Sequence, residues 1–205
     1  MEDFRLPVST GDGSLPLAIA PFTMIGATTH IGRLSQPLRD RFGEVVQMQY
    51  YTTDELTIIA FKNFNKLGLS CDIDAAQVLA HRSRGTPRIV NRLVRRTRDF
   101  AFSNQTDRVT IKLVRQTCDM LGIDPLGVDS LGRKYLSVLA EKTRPVGLNI
   151  LAHSLGESKD TIEETVEPHL LRLGFVERLP AGRVITKAGK DHVELDQIDL
   201  EEISE

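Results

Sequence analysis

The chain has 205 residues, 40% of them apolar and 26% charged, which is enough for one or two domains with genuine cores. No run approaches the roughly 20 apolar residues of a membrane-spanning helix, and the opening MEDFRLPVST has neither the basic region nor the apolar stretch of a secretory signal, so a cytoplasmic protein without a membrane partner is expected. The formal charge of −2 hides an asymmetry: the last 15 residues, DHVELDQIDLEEISE, hold seven acids and no Lys or Arg, leaving a mildly basic body that permits an anionic partner.

Residues 1–21 place the short apolar pieces FRLPV and LPLAIA on either side of STGDGS, whose Asp-Gly is a turn signal, and a protruding β-hairpin is expected. FTMIGATT reads as a buried strand ending in a Gly/Thr loop, and EVVQMQYY as another strand. From Thr52 the period becomes helical. Thr52 and Glu55 form a possible capping box, and Leu56, Ile59, Ala60, Phe64 and Leu67 keep helical spacing up to Gly68. DIDAAQVLAHRSRG, TPRIVNRLVRRTRDFAFSN and TIKLVRQTCDMLGI follow as three more helices, Pro87 standing near a helix start where its missing N–H costs little.

DPLGVDSLG is the best linker candidate. Beyond it come three helices, RKYLSVLAEKT, LNILAHSLG and SKDTIEETVEPHLLRLG, and then a hairpin turning at Pro180-Ala181-Gly182, the plan of a winged helix-turn-helix. Gly156 suits the turn between the second and third of these helices, and Pro168 is expected to kink the third. The fold class is therefore mainly α with some β. Cys71 and Cys118 form no CxxC and have no His at ligand spacing, and His153 and His169 show no metal spacing, so buried free thiols and no metal site are expected.

Two stretches point to chemistry. In PLRDRFG, two arginines flank an aspartate just after the Thr28-Thr29 pair. A threonine hydroxyl at a strand tip can orient a water, and an arginine offered across a subunit boundary can neutralise charge developing in phosphoryl transfer, although an exposed Arg-Asp-Arg is more often structural. A phosphate-binding loop of the form Gly-x4-Gly-Lys-Ser/Thr is nowhere in the chain. At Gly189-Lys190, Asp191 follows where a hydroxyl is needed, and Val184 occupies the first glycine position. In the winged segment, Lys159 starts the third helix and Arg178 and Arg183 flank the wing turn, so three cations could converge on phosphates, while Glu163, Glu164 and Glu167 make the third helix acidic. Backbone contacts by the wing are therefore expected rather than base reading by the helix. The run Arg88, Arg92, Arg95, Arg96 and Arg98 is read as a charged helix face spread around its circumference.

FTMIGATT, PLRDRFG, RGTPRIVNRLVRRTRDFA and the stretch from GRKYLSVL to GRVITKAG, in that order and covering the chain to about residue 192, resemble the RuvB family of AAA+ ATPases, the motors of Holliday-junction branch migration. The resemblance implies a remnant of the AAA+ α/β core over 1–51 (hairpin and strands), a helical lid bundle over 52–124, a winged-helix DNA-binding domain over 125–192 and an acidic tail over 193–205. It assigns Thr28 and Thr29 to the sensor 1 position and Arg41 to the arginine finger that acts on a neighbouring subunit's ATP. It makes Tyr51 a nucleotide contact, otherwise a core aromatic, and Arg88 the sensor 2 arginine, and it brings the segment of Glu2, Asp3 and Phe4 near the nucleotide. It gives DNA contacts to Lys159, Arg178 and Arg183.

The partners it implies are four-way-junction or duplex DNA, other RuvB-type subunits in a hexameric ring, and a RuvA-like junction-binding protein docked on the 1–21 hairpin. There Leu6, Val8, Leu17 and Ile19 are either a docking face or sheet core. Departures are His30, at a commonly basic position, a short hairpin, Lys159 where arginine is usual and Ala181 at a usually basic wing tip. The Walker A and Walker B segments would belong to a portion preceding Met1. The expected function is thus part of an ATP- and magnesium-dependent branch-migration motor that cannot stably bind or hydrolyse ATP as this chain alone. A non-enzymatic winged-helix DNA-binding module, or a subunit that regulates or poisons mixed rings, is the alternative, and a clamp-loader-like subunit supplying only a finger is a weaker third reading.

Overall fold

A computed structural model describes residues 4–10 and 13–202, with side chains up to Glu194 except those of Pro7 and Thr10, and divides into two compact units, Met1–Gln49 and Tyr50–Glu205. In the first unit, β1 (Arg5–Thr10) pairs antiparallel with β2 (Gly13–Ala18) in the register Leu6↔Leu17 and Val8↔Leu15. Side chains two apart share a face of a strand, so these four apolar residues lie on one face of the ribbon. All four are exposed, Leu6 by 52% and Leu15 by 61%, which removes the sheet-core alternative for them; Ile19 is half-buried. The base of the hairpin is closed by the Ile19 N–H donating to the Phe4 carbonyl at 2.8 Å and by an edge-to-face contact of Phe4 with Phe22.

The strands expected over 22–29 and 44–51 do not form. Those segments are irregular, with Ile25, Val46 and Met48 largely exposed. Strand identity depends on a ladder, and no described segment of this unit pairs with either run, so apolar patterning alone leaves them unpaired. Between them lie a 3₁₀ turn at Ile31–Arg33 and the short helix α1 (Gln36–Arg39), with Pro37 in its first turn.

The second unit opens with α2 (Thr53–Lys66). The capping box is present: Thr52 Oγ1 accepts from the Glu55 N–H at 3.3 Å and the Glu55 carboxylate accepts from the Thr52 N–H at 2.9 Å. After β3 (Ser70–Cys71) come α3 (Ile73–His81), α4 (Pro87–Ser103), β4 (Arg108–Val109) and α5 (Ile111–Met120). Leu56, Phe64, Leu79, Leu93 and Val114 are buried between the helices. Helical periodicity did not announce the parallel β3–β4 bridge, Ser70↔Arg108 and Cys71↔Val109, because two residues are too few for an alternation signal.

A second core forms around Tyr135, Leu136, Leu151, Ile162 and Leu170, between α6 (Ser130–Ala140), α7 (Leu148–Leu155), a third helix and the wing strands β5 (Val176–Leu179) and β6 (Gly182–Ile185). Gly156 ends α7 in the left-handed conformation, as its place in the turn requires. The third helix runs as α8 (Lys159–Thr161), a π-helical turn over Ile162–Val166 and α9 (Glu167–Arg172). Pro168 has no N–H for the Glu164 carbonyl, and the helix widens immediately before it in place of a simple kink. Val146 extends the wing by an isolated antiparallel bridge to β6, through reciprocal bonds of 2.8 Å with Arg183.

The stretch 124–132 is a tightly bonded junction, contrary to its linker-like composition. Asp124 Oδ1 accepts from the N–H groups of Leu126 and Val128, both at 2.8 Å, and Oδ2 meets His192 Nε2 at 2.9 Å. Arg84, from the helical bundle, donates to the Gly127 carbonyl at 2.7 Å and pairs with Asp129 at 2.7 Å. The start of the acidic tail also departs from a solvated segment: α10 (Lys187–Glu202) carries through it, with Val193 buried and His192 stacked on Phe175 at 4.7 Å. Cys118 is a buried free thiol and Cys71 a half-buried one. Among the described residues no helix is long and apolar enough to cross a membrane, and no three His, Cys, Asp or Glu side chains converge as a metal site.

Candidate nucleotide and nucleic-acid interfaces

In the first unit, the Arg-Asp-Arg motif is sorted by its local hydrogen bonds. Gln36 on α1 donates to Asp40 at 2.7 Å and accepts from Arg39 at 2.6 Å, so the first arginine and the aspartate are tied to one amide. Arg41, one residue past the helix cap, is exposed and has no hydrogen bond or ion pair from its side chain among the described residues. Thr28 and Thr29 are both exposed. The Thr28 hydroxyl accepts from the His30 N–H at 3.0 Å, which shapes the loop. Phe4 is engaged with Phe22, and Glu2 and Asp3 lie outside the described residues.

In the second unit, Tyr51 is anchored by its backbone N–H to the Gly85 carbonyl at 3.0 Å while its side chain is exposed, which disposes of the core-aromatic alternative. Arg88 stands in the first turn of α4, next to Pro87, and is exposed. The arginines of α4 are not spread around the helix. At about 100° per residue, Arg88, Arg92 and Arg95 lie on one face and Val90, Leu93, Val94, Thr97 and Ala101 are buried on the opposite one. That basic face lines a cleft of about 920 Å³ whose other wall is Glu164, Thr165, Pro168 and His169 from the third helix of the winged segment. Tyr50, Arg84 and Arg172 complete it. Sequence reasoning did not single out these three, whereas Arg88, Arg92, Arg95, Arg96 and Arg98 were legible as a charged run, the first three at i, i+4 and i+7.

On the wing, Arg178 and Arg183 are direct cross-strand partners, and both are engaged inside the chain. Both converge on Glu167, whose side chain is 0% exposed. Arg178 Nε donates to Glu167 Oε2 at 2.6 Å, Arg183 Nε donates to Oε1 at 2.8 Å, and the Tyr135 hydroxyl donates to Oε1 at 2.9 Å. Arg183 also donates to Glu163 at 2.8 Å and is only 14% exposed. Glu167 therefore does not contribute to an acidic outer face of the third helix, as its spacing had implied. Lys159 is exposed at the start of α8, just after the Ser158 cap.

His169 joins the cleft to the junction. Its Nε2 donates to the Leu126 carbonyl at 2.9 Å and its Nδ1 accepts from Arg172 at 3.1 Å, the pattern of a neutral imidazole. Burial lowers its pKa to about 4, the Leu126 carbonyl opposes that, and the nearby Arg84 and Arg172 charges lower it further. Because the folded value lies below the unfolded one of about 6.5, the contribution of His169 is complete above pH 6.5 and is lost as pH falls toward 4. The expected result is a urea midpoint that declines over this window in the native chain and declines less in His169→Gln; parallel pH profiles would contradict it.

Comparison with known families matches the profile of the Holliday junction DNA helicase RuvB P-loop domain over residues 1–48, the RuvB AAA lid domain over 51–124 and the RuvB C-terminal winged helix domain over 125–194. The chain is 46% identical over 202 residues to the Holliday junction branch migration complex subunit RuvB of Corynebacterium jeikeium, and 46% identical over 201 residues to that of Thermobifida fusca. These alignments take in 96% and 95% of the chain and 57% of each relative, so the chain spans somewhat more than half the length of the curated relatives it matches. Among solved structures, the Thermotoga maritima RuvB Holliday junction branch migration motor superposes with a TM-score of 0.80 at 43% identity, covering 86% of this chain and 60% of that one. A variant of the same protein gives a TM-score of 0.83 at 40% identity over 94% of this chain and 62% of that one. With the hairpin, lid and winged segments matched in order by three profiles of a single family, the chain belongs to the RuvB family.

Proposed function

We propose that this chain is a working part of an ATP-driven branch-migration motor of the RuvB type. Arg41 reaches the nucleotide of a neighbouring subunit and stabilises charge on the transferring phosphoryl group. Thr28 and Thr29 face the attacking water, and Arg88 and Tyr51 contact the nucleotide from the lid. The observation that carries the reading is Arg41 itself: exposed and without a counter-carboxylate among the described residues, while its neighbours Arg39 and Asp40 are tied to Gln36. The side chains fit phosphate oxygens, since Arg88 is an exposed cation in the first turn of a helix. They do not fit the magnesium ion, because no carboxylate cluster lies among the described residues and the sequence lacks a phosphate-binding loop. ATP with magnesium would supply the free energy of translocation when held by groups beyond those described, and this chain by itself is expected to hydrolyse no ATP.

The wing contacts the sugar-phosphate backbone of duplex DNA through Arg178, with Lys159 beside it at the helix start and Arg183 bracing the wing. The apolar face of Leu6, Val8, Leu15 and Leu17 docks a RuvA-type junction-binding protein, and Leu6→Asp with Leu17→Asp is expected to abolish that binding in a pull-down while leaving duplex binding unchanged. The reading as a whole is tested by adding this chain to a complete RuvB motor whose own finger arginine is replaced by alanine. Restored ATP turnover, lost again with Arg41→Ala, supports it. No turnover from a folded, DNA-binding chain would favour the second reading, a non-enzymatic DNA-binding module or poisoning subunit, which rests on Tyr50–Glu205 forming one compact unit with its own two cores.

A further inference from the structure

The cleft between α4 and the third helix of the winged segment is larger than a sensing arginine requires. Seven arginines line it: Arg84, Arg88, Arg92, Arg95, Arg96, Arg98 and Arg172, against the three carboxylates Asp99, Asp129 and Glu164. Asp129 is paired with Arg84 at 2.7 Å and Asp99 with Arg98 at 2.7 Å, and Glu164 is not free either. Arg88, Arg92 and Arg95 make no hydrogen bond or ion pair within 4 Å among the described residues, Arg92 acting on Asp129 only through its charge, although like charges at this spacing on a helix repel one another. A row of cations left in that state is complementary to an anion that supplies several charges at once.

The shape of the row selects the kind of anion. From Arg88 to Arg95 the helix rises about 10 Å, longer than the phosphate chain of a mononucleotide and enough for two successive phosphates of an extended strand. At the same end as Arg88 stands Tyr50, 59% exposed, with the Arg172 guanidinium stacked 4.2 Å from its ring centroid. An aromatic ring beside a positive groove is the arrangement by which proteins hold unpaired bases without reading their sequence.

The geometry points to a binding site for single-stranded nucleic acid in this cleft, with Arg92 and Arg95 on consecutive phosphates and Tyr50 offering a stacking surface. It is separate from the wing, so duplex binding there can fail while this site stands. The test is fluorescence anisotropy of the full chain with a labelled oligothymidylate of about 20 nucleotides and with a duplex of matching length, each over a salt series. Arg92→Ala with Arg95→Ala is expected to weaken strand binding about tenfold or more and to reduce the slope of log affinity against log salt by about 1.4, with duplex binding nearly unchanged. Arg178→Ala should do the reverse. Both arginines are exposed, and an unchanged melting temperature checks that the fold survives; Arg95→Glu alone should also weaken the strand, and Arg95→Lys should largely restore it. Strand affinity or salt slope unaltered by these substitutions would overturn the proposal. So would stoichiometric displacement of the strand by ATP, which would make the cleft a mononucleotide site.

Discussion

Glu167→Ala is expected to cost about 3–5 kcal/mol of folding stability, a large share of what a domain of this size possesses. The carboxylate is wholly buried and gathers Arg178, Arg183 and the Tyr135 hydroxyl, so it ties both wing strands to the third helix and to α6. Removing it leaves Arg183, 14% exposed, with Glu163 as its remaining counter-charge, and leaves a buried phenol without its acceptor. Exposed pairs such as Arg108 with Asp72 are worth at most about 1 kcal/mol, so Asp72→Ala is the matched control. Urea unfolding of both variants decides the matter. A loss below about 1 kcal/mol for Glu167→Ala would mean that the arginines find other partners or reach water at little cost. Because Arg178 and Arg183 are braced by this carboxylate, the same variant is expected to weaken duplex binding through a wing that no longer holds its shape.

Gly127→Ala is the second change with a large expected effect, about 2–5 kcal/mol. Gly127 has φ +80°, and a Cβ there would lie 2.7 Å from the Arg82 carbonyl oxygen. The left-handed backbone costs an L-residue roughly 1–2 kcal/mol, and the displaced carbonyl adds a further cost of about 1–3 kcal/mol from overpacking. Gly156→Ala is the control, since its φ is +68° but nothing lies within 4 Å of the added carbon, so only the backbone cost applies. The two also differ in kind. Gly127 lies where Arg84 from the bundle and His169 and His192 from the winged segment meet the connecting chain, so its substitution should uncouple the two cores. Fluorescence and circular dichroism transitions that coincide in the native chain are expected to separate in Gly127→Ala; a single unshifted transition would contradict this.

The helices were legible in the sequence because each carries its own local evidence. The Thr52 and Glu55 box starts α2, Pro87 starts α4, Gly156 ends α7, and apolar residues three and four apart mark the buried faces. The wing was legible for the same reason, from two short apolar runs around a turn. The strands over 22–29 and 44–51 were not decided by their apolar composition, since a strand exists only when another segment completes its hydrogen bonds, and none does so here among the described residues. The linker-like composition of 124–132 was equally silent about Arg84, His169 and His192, which reach it from distant parts of the chain. The motifs singled out Thr28, Thr29, Arg41, Tyr51, Arg88, Lys159, Arg178 and Arg183, and identified the family to which they belong. The sequence by itself determined the local elements and the order of the domains, since caps, turns and periodicity act within a few residues. Only the tertiary structure decided that Glu167 is buried beneath the wing arginines and that the α4 arginines share one cleft with the third helix of the winged segment, because burial and pairing depend on which distant surfaces meet.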